Sequence, residues 1–328
     1  MFYLGIDVSK AKLDCCLLVG EDQLKRKNKS VANTAAGVST LLAWAHKQGV
    51  TAESLHVAME GTGAYHEQAA IALYDAGVTV SIVNPAQARH FAKGLAVQTK
   101  TDAVDSFVLA RYAAMVKPEA WTAPSLSART LRALLARRDA IAQDLQRELN
   151  RQEKTLVTEA PEPVSESITK SIHFLRKQLA QFDQDIDDHI DRHPDAKRDL
   201  DLLTSIPAVG PQVGRNMLSV LSCHQFQSAE QLAAYLGLVP VERQSGTSVH
   251  APARLSKTGP AHIRAVLYMA AIVATRHNPT VKALYERMLA KSKAKKAALG
   301  AAMRKLVHLC FGVVKNKTPY RENYALTA

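Results

Sequence analysis

Two aspartates three residues apart, Asp102 and Asp105 in KTDAVD, are the first residues in this chain whose types and spacing suit chemistry. Thr101 can cap a helix there, and Val104, Phe107, Val108 and Arg111 follow at helical spacing, so both carboxylates share one face of a first turn. A helix N-terminus also favours negative charge, so the pair has a local structural reading as well. Two further acids shift the balance. Asp7 interrupts an apolar, strand-like run over residues 2–8, where an unpaired charge is costly. Glu60 ends a second apolar strand over 55–59, at the edge where α/β sheets place their sites. Four acids from two strands and one helix suit Mg2+, which takes oxygen ligands, and two such ions can clamp both oxygens of a phosphoryl displacement.

The elements that must position these acids follow from apolar periodicity. Residues 2–8, 13–19 and 29–32 read as strands, and 37–48 as an amphipathic helix with Val38, Leu41, Leu42 and Ala45 on one face. The strand ending on Glu60 leads into Gly61-Thr62-Gly63, then a helix over 67–76 and a strand over 78–83 that Asn84-Pro85 terminates. Strands first, then strands alternating with helices, indicate an α/β domain with a mixed sheet over residues 1–124. Residues 118–124 form a linker. One long helix over 126–159, a break at Pro161 and Pro163, and a second helix over 164–190 follow. Ile168, Ile172, Leu175, Leu179, Phe182 and Ile186 make a heptad seam, so 125–194 is expected as an antiparallel coiled-coil hairpin, a spacer or oligomerisation arm. The remainder, 195–328, is mainly helical: a helix-turn-helix over 202–221, a helix over 229–238, an extended polar stretch over 239–249, then helices over 261–276 and from 281 to 314.

The chain carries 42 Lys and Arg against 30 Asp and Glu, a net charge of +12 that is unevenly placed. Residues 1–124 hold 12 basic against 11 acidic side chains, 125–194 hold 11 against 12, and 195–328 hold 19 against 7. The excess in the last third points to a polyanion, most simply nucleic acid, with a solubilising basic surface as the alternative. Hydrophobic residues at 47% exclude a disordered chain. The four cysteines are too few for a disulfide scaffold, and Cys15 and Cys16, adjacent on a strand, face opposite sides. A reduced, cytoplasmic protein is expected. The N-terminal stretch lacks a signal peptide's basic start, and the longest nearly apolar run, 265–275, is too short to span a bilayer, so no membrane partner is expected.

GIDVSK with Asp7, MEGTGAY with Glu60, VNPAQARHFA, and KTDAVD with Asp102 and Asp105 resemble the N-terminal domain of the DEDD-type insertion-sequence transposases. That family includes the pilin-gene invertases. The resemblance runs on through the linker and hairpin into the last third. It implies a ribonuclease-H fold like that of the RuvC junction resolvases in the first domain. There Asp7, Glu60, Asp102 and Asp105 would be catalytic ligands of two Mg2+ ions, with Mn2+ as a substitute, and Lys100 would face nucleic acid.

In the last third, RQSGTS over 243–248 resembles the family's nucleophile segment. By that resemblance Ser245 attacks a DNA phosphate and forms a covalent phosphoserine link, with Ser248 and Thr247 next in line. Read from the residues alone, SGTS is equally a Ser/Gly turn, and a serine hydroxyl is a weak nucleophile until a base or metal activates it. Arg243, Arg254, Lys257 and Arg264 surround the SKTGP loop ahead of a helix, an arrangement suited to phosphate. SIPAVGPQVG resembles a helix-hairpin-helix, but Ala208 stands where glycine is common, so a packing role is expected. His189 and His193 have no cysteine partners and are expected as solvated helix-end histidines.

The resemblance further implies a DNA recombinase acting on donor ends and target, guided by a bridge RNA that carries the specificity. The heptad seam suits a homo-oligomer, a dimer or tetramer. Three other functions compete. A junction-resolving nuclease would use water as nucleophile and leave Ser245 a loop residue. An actin-like ATPase or sugar kinase would share GIDVSK as a first phosphate loop, but its second phosphate loop and adenosine motif are missing. A non-catalytic nucleic-acid binder leaves the acidic set unexplained.

Overall fold

The computed structural model describes residues 1–20, 25–61, 63–96, 101–245 and 249–322, the side chains of 243–252 lying outside that description. They form two compact units, Met1–Ala123 and Pro124–Ala328.

In the first unit, alternation builds a sheet with two buried faces. β1 (Phe2–Val8) sends Leu4 and Ile6 to one face and Tyr3, Gly5 and Asp7 to the other. β2 (Lys12–Val19) returns antiparallel to β1, and β3 (Lys25–Ala32) lies antiparallel to β2. β4 (Leu55–Glu60) joins the other side of β1 in parallel, and β5 (Thr79–Val83) adds parallel to β4, giving the order β3-β2-β1-β4-β5. Helices α1 (Ala35–His46) and α2 (Tyr65–Asp75) cover the Leu4 face, while α3 (Pro85–Gly94) and α4 (Asp102–Val116) cover the Tyr3 face. A mixed sheet covered by helices on both faces fits the expected ribonuclease-H-like α/β domain.

Two elements differ from the sequence reading. β3 begins four residues earlier than expected, because an exposed edge strand carries no apolar alternation to reveal it. Asn84-Pro85 ends β5 but also starts α3, for the Asn84 side chain caps the Ala86 N–H at 2.8 Å and proline suits a first helical turn. The linker is tied down along β5: Trp121 N–H donates to Val80 O at 2.6 Å, and Ser81 Oγ to Glu119 O at 2.7 Å.

In the second unit, α5 (Leu126–Val157) and α6 (Glu162–Asp191) fold back on each other. Ile172 and Ile186 of the seam are buried, and Ile168, Leu175, Leu179 and Phe182 are half-buried. The helices α7 (Pro194–Thr204), α8 (Pro211–Cys223) and α9 (Ala229–Tyr235) follow, then a hairpin of β6 (Pro240–Ser245) and β7 (Val249–Leu255). α10 (Ala261–His277), α11 (Pro279–Ala290) and α12 (Lys295–Asn316) complete the unit. Leu131, Leu135, Ile186 and Ile190 at the base of the helical hairpin share one core with Leu203, Met217, Leu267 and Leu306. An ion-pair ladder reinforces the joint: Arg138 on α5 and Arg215 on α8 both bind Asp183 of α6, at 3.1 and 2.9 Å, and Arg215 also binds Asp187. Among the described helices α12 is long and apolar enough to cross a membrane, yet half of its apolar window is buried, as in a core helix. All four cysteines are buried thiols, and Cys223 Sγ donates to Ala128 O at 3.6 Å.

His189 corrects an expectation. It is buried rather than solvated, its Nε2 lying 3.2 Å from Ser127 Oγ and 3.0 Å from Ser127 O, because the last turn of α6 packs on the first turn of α5. The α7–α8 turn is held by packing, with Ile206 and Val209 buried and Asn278 Nδ2 donating to Pro207 O at 3.2 Å. Ala208 there has φ +79°, the left-handed region in which a Cβ costs about 1–2 kcal/mol. Ala208→Gly should therefore stabilise the second unit by about 0.5–1 kcal/mol after the added freedom of the unfolded chain is subtracted. The check is the urea midpoint, which should rise; a fall would show that the methyl group's packing outweighs the strain.

Candidate active site

Three adjacent strands bring carboxylates to one edge of the sheet. Asp14 on β2 lies directly opposite Asp7 on β1, so both project from the face that α4 covers. Glu60 ends β4 immediately after Met59, the partner of Ile6. Asp102 and Asp105 come from the first turn of α4, which Thr101 caps by accepting the Val104 N–H at 3.3 Å. The charges of the other four act on Asp7. Burial first, then repulsion from Asp105, Asp102, Asp14 and Glu60, push its carboxyl up to about 6. The four acids singled out in the sequence are thus brought together, and Asp14 joins them.

Helix α4 reaches this edge because β1 has a glycine under it. A Cβ on Gly5 would stand 1.9 Å from Ser106 O and 2.3 Å from Ala110 N, so the backbones of helix and strand touch there. Gly5 and Asp7 point the same way, and the helix turn that begins at Asp102 lies one step beyond the contact. Lys12 closes the arrangement, its Nζ 2.8 Å from Asp14 Oδ2 and 2.8 Å from Asp102 Oδ2. The Lys12 hydrogen bond and charge hold the Asp102 carboxyl below its usual range. Ser9 pins the β1–β2 turn by accepting the Lys12 N–H at 3.1 Å and donating to Lys12 O at 2.9 Å. Asn33 donates to both Ser9 O and Tyr65 O, at 2.9 and 3.0 Å, tying that turn to the start of α2. Sequence reasoning missed Asp14 and Lys12. The signal used for Asp7, a charge set in an apolar strand, is present at Asp14 in KLDCCLLV, with Lys12 two residues before it on the same side.

In the second unit Ser245 is the last residue of β6, opposite Val249 across the hairpin. The side chains of Ser245 and Arg243, and Lys100, Thr247 and Ser248 entirely, lie outside the described residues. Arg254, opposite Val241, and Lys257 are exposed. Arg264 spends its Nη1 on backbone, donating to Leu236 O, Thr258 O and Gly259 O at 3.2, 2.7 and 3.0 Å. Gly237 and Gly259, at φ +69° and +76°, let those loops touch; a Cβ on Gly259 would stand 1.9 Å from Tyr235 O. Arg264 therefore clamps the feet of the hairpin that carries Ser245.

Residues 4–161 match the transposase family DEDD_Tnp_IS110, and residues 200–286 the Transposase IS116/IS110/IS902 family. The pilin gene-inverting proteins of Moraxella lacunata and Moraxella bovis are each 32% identical over 320 residues, 97% of this chain and 97% of theirs. This chain belongs to the IS110 transposase family. Members are DNA recombination enzymes, and the transposase has DNA as its substrate. The RuvC structure of Thermus thermophilus aligns with 35% of the transposase and 97% of its own chain, at 18% identity and a TM-score of 0.27, too slight a likeness to weigh on the fold.

A DEDD transposase domain implies a divalent metal. The donors of the transposase fit one in chemistry and charge: five hard carboxylates lie at this edge, Lys12 pairs with Asp14 and Asp102, and burial followed by repulsion among the acids raises Asp7. Among the described residues no three ligating groups already meet closely enough to hold an ion. The sheet and α4 gather the carboxylates without closing them into a finished cage.

Proposed function

We propose that this transposase moves or inverts DNA by strand exchange through a phosphoserine link at Ser245, assisted by Mg2+ at Asp7, Glu60, Asp102 and Asp105. The observation that carries the reading is the placement of these acids at one edge of the sheet, Asp7 and Glu60 on adjacent parallel strands and Asp102 and Asp105 on the first turn of the helix packed against Gly5. Ser245 Oγ attacks phosphorus, an O–P bond forms, and the P–O bond to one deoxyribose breaks. The serine proton is lost and the departing sugar oxygen gains one. One phosphodiester replaces another, so the strand can be rejoined without an external energy source. A divalent cation bound at the acids supplies Lewis-acid activation and charge neutralisation at the phosphate. Arg243, Arg254, Lys257 and Lys100 bind backbone phosphate, while Arg264 holds the hairpin in shape.

The wider assignment treats 1–124, 125–194 and 195–328 as three functional parts, although the helical hairpin and the last third fold as one compact unit, Pro124–Ala328. The helical hairpin pairs subunits as a coiled coil in a dimer or tetramer. A bridge RNA selects donor and target, and the enzyme works in the cytoplasm. Covalent trapping on donor-end DNA tests the chemistry. Ser245→Ala should lose the protein–DNA adduct and lower cleavage by roughly three orders of magnitude or more, with DNA binding retained. Cleavage that survives in Ser245→Ala would favour attack by water, as in a junction-resolving nuclease. A discrete RNA co-purifying with the protein tests the guide.

A further inference from the structure

Four of the twelve basic side chains of residues 1–124 stand on one strand. Residues 1–124 are nearly neutral, with 12 basic against 11 acidic side chains, yet Lys25, Arg26, Lys27 and Lys29 all stand on β3. All four are exposed, and among the described residues no carboxylate pairs with them. β3 is an edge strand paired with β2, and Lys27 Nζ also donates to Gln48 Oε1. Register divides its side chains. Arg26, Asn28 and Ser30 oppose Leu18, Cys16 and Asp14 and share the α4 face, while Lys25, Lys27 and Lys29 line the other.

Two features aim this strand at the acids. The Arg26 guanidinium lies 5.1 Å over the Phe107 ring of α4, which holds it at the rim between strand and helix. Beside it a cleft of about 180 Å³ opens between β3 and α4, with Asn28, Ser30, Ala103, Ser106 and Asp14 in its wall. Asp14 is the cross-strand neighbour of Asp7. Edge-strand lysines also discourage pairing between sheets, but that role needs neither a stacked arginine nor a polar cleft reaching the acids.

We propose that β3 and its cleft form a second nucleic-acid surface, one that grips a phosphodiester backbone and leads it to the acidic edge. It adds to the basic last third and is hidden in the composition because five nearby carboxylates cancel its charge. The inference rests on the reading of those acids as the place where DNA reacts. Its test reads binding, which requires no cleavage, so a failure of the phosphoserine chemistry leaves the result interpretable.

The full-length protein is compared with an Arg26→Gln, Lys27→Gln, Lys29→Gln variant by titrating single-stranded DNA, duplex DNA and RNA between about 50 and 300 mM salt. Each lost phosphate contact should flatten the log–log salt slope by about 0.7 on single strands and about 0.9 on duplex. The variant should therefore lose about 2–3 in slope and bind about tenfold or more weakly near physiological salt. The polymer that shows the loss names the source of the phosphates. Lys27→Arg with Lys29→Arg should keep the slope, and an unchanged thermal midpoint confirms folding. If the triple variant misfolds, Lys29→Gln alone is measured, with a loss of one contact's slope expected. Folded variants whose slopes match the parent on all three polymers would overturn the proposal.

Discussion

Replacing Gly5 by alanine should both destabilise the first unit and slow recombination about a hundredfold or more. The added Cβ would meet Ser106 O at 1.9 Å, Ala110 N at 2.3 Å and Leu109 C at 3.0 Å. Every obstacle is backbone, so no side chain can rotate away, and α4 must lift from β1. Overpacking of this kind costs about 1–3 kcal/mol when side chains can adjust, and a rigid contact belongs at the upper end. The same lift carries Asp102 and Asp105 away from Asp7, and a misplacement of about 1 Å can cost about a hundredfold in rate. Calorimetry of the full-length protein should show the first unit melting earlier while the second is unaffected. In whatever fraction remains folded, strand exchange should fall about a hundredfold or more. Wild-type stability together with wild-type activity would mean that the contact does not position the acids.

Asp7→Asn should abolish recombination yet raise stability, an opposition that a merely structural aspartate would not show. Its carboxyl is pushed from 3.8 up to about 6, chiefly by burial and then by the four neighbouring acids. A group with a raised folded pKa takes up a proton on folding, so in divalent-free buffer stability should fall as pH rises from about 4 to about 6. Below that window Asp7 is protonated in both states and costs nothing; above it the full cost is present. Each tenfold change in proton affinity is about 1.4 kcal/mol, and screening of a half-buried group reduces the total to about 1–2 kcal/mol. The asparagine variant should therefore melt a few degrees higher than the parent at pH 7.5 and at the same temperature near pH 4. Its strand exchange should be undetectable, since the variant lacks one of the carboxylates proposed to hold the cation. An asparagine variant that melts lower at pH 7.5 would show the charge to be held by a partner, and would remove the case for a repulsive acidic site.

What the sequence determined by itself was whatever local burial pattern dictates. Phe2–Val8 and Leu55–Glu60 are legible because each apolar run holds a single acid, interrupting the first and ending the second. The seam from Ile168 to Ile186 is legible because one buried stripe on a helix repeats at heptad spacing. Asp7, Glu60, Asp102 and Asp105 stood out as charges at the ends or interiors of such elements, and their motifs carried the family. Which of these residues meet depends on how the elements pack. Lys12 and Asp102 are 90 positions apart, and the ammonium bridge between them depends on where α4 lands on the sheet. Asp14 entered through cross-strand register, which pairs it with Asp7 and which no periodicity within β2 encodes. Gly5 looks like any glycine in a strand until a helix backbone lies against it. Arg264, suited to phosphate in the sequence, turned to three carbonyls because the loops at 236 and 258–259 close around it. β3 was half lost to the sequence reading for the opposite reason: an exposed edge buries almost nothing, so its strand is imposed by hydrogen bonds to β2 rather than by its own pattern.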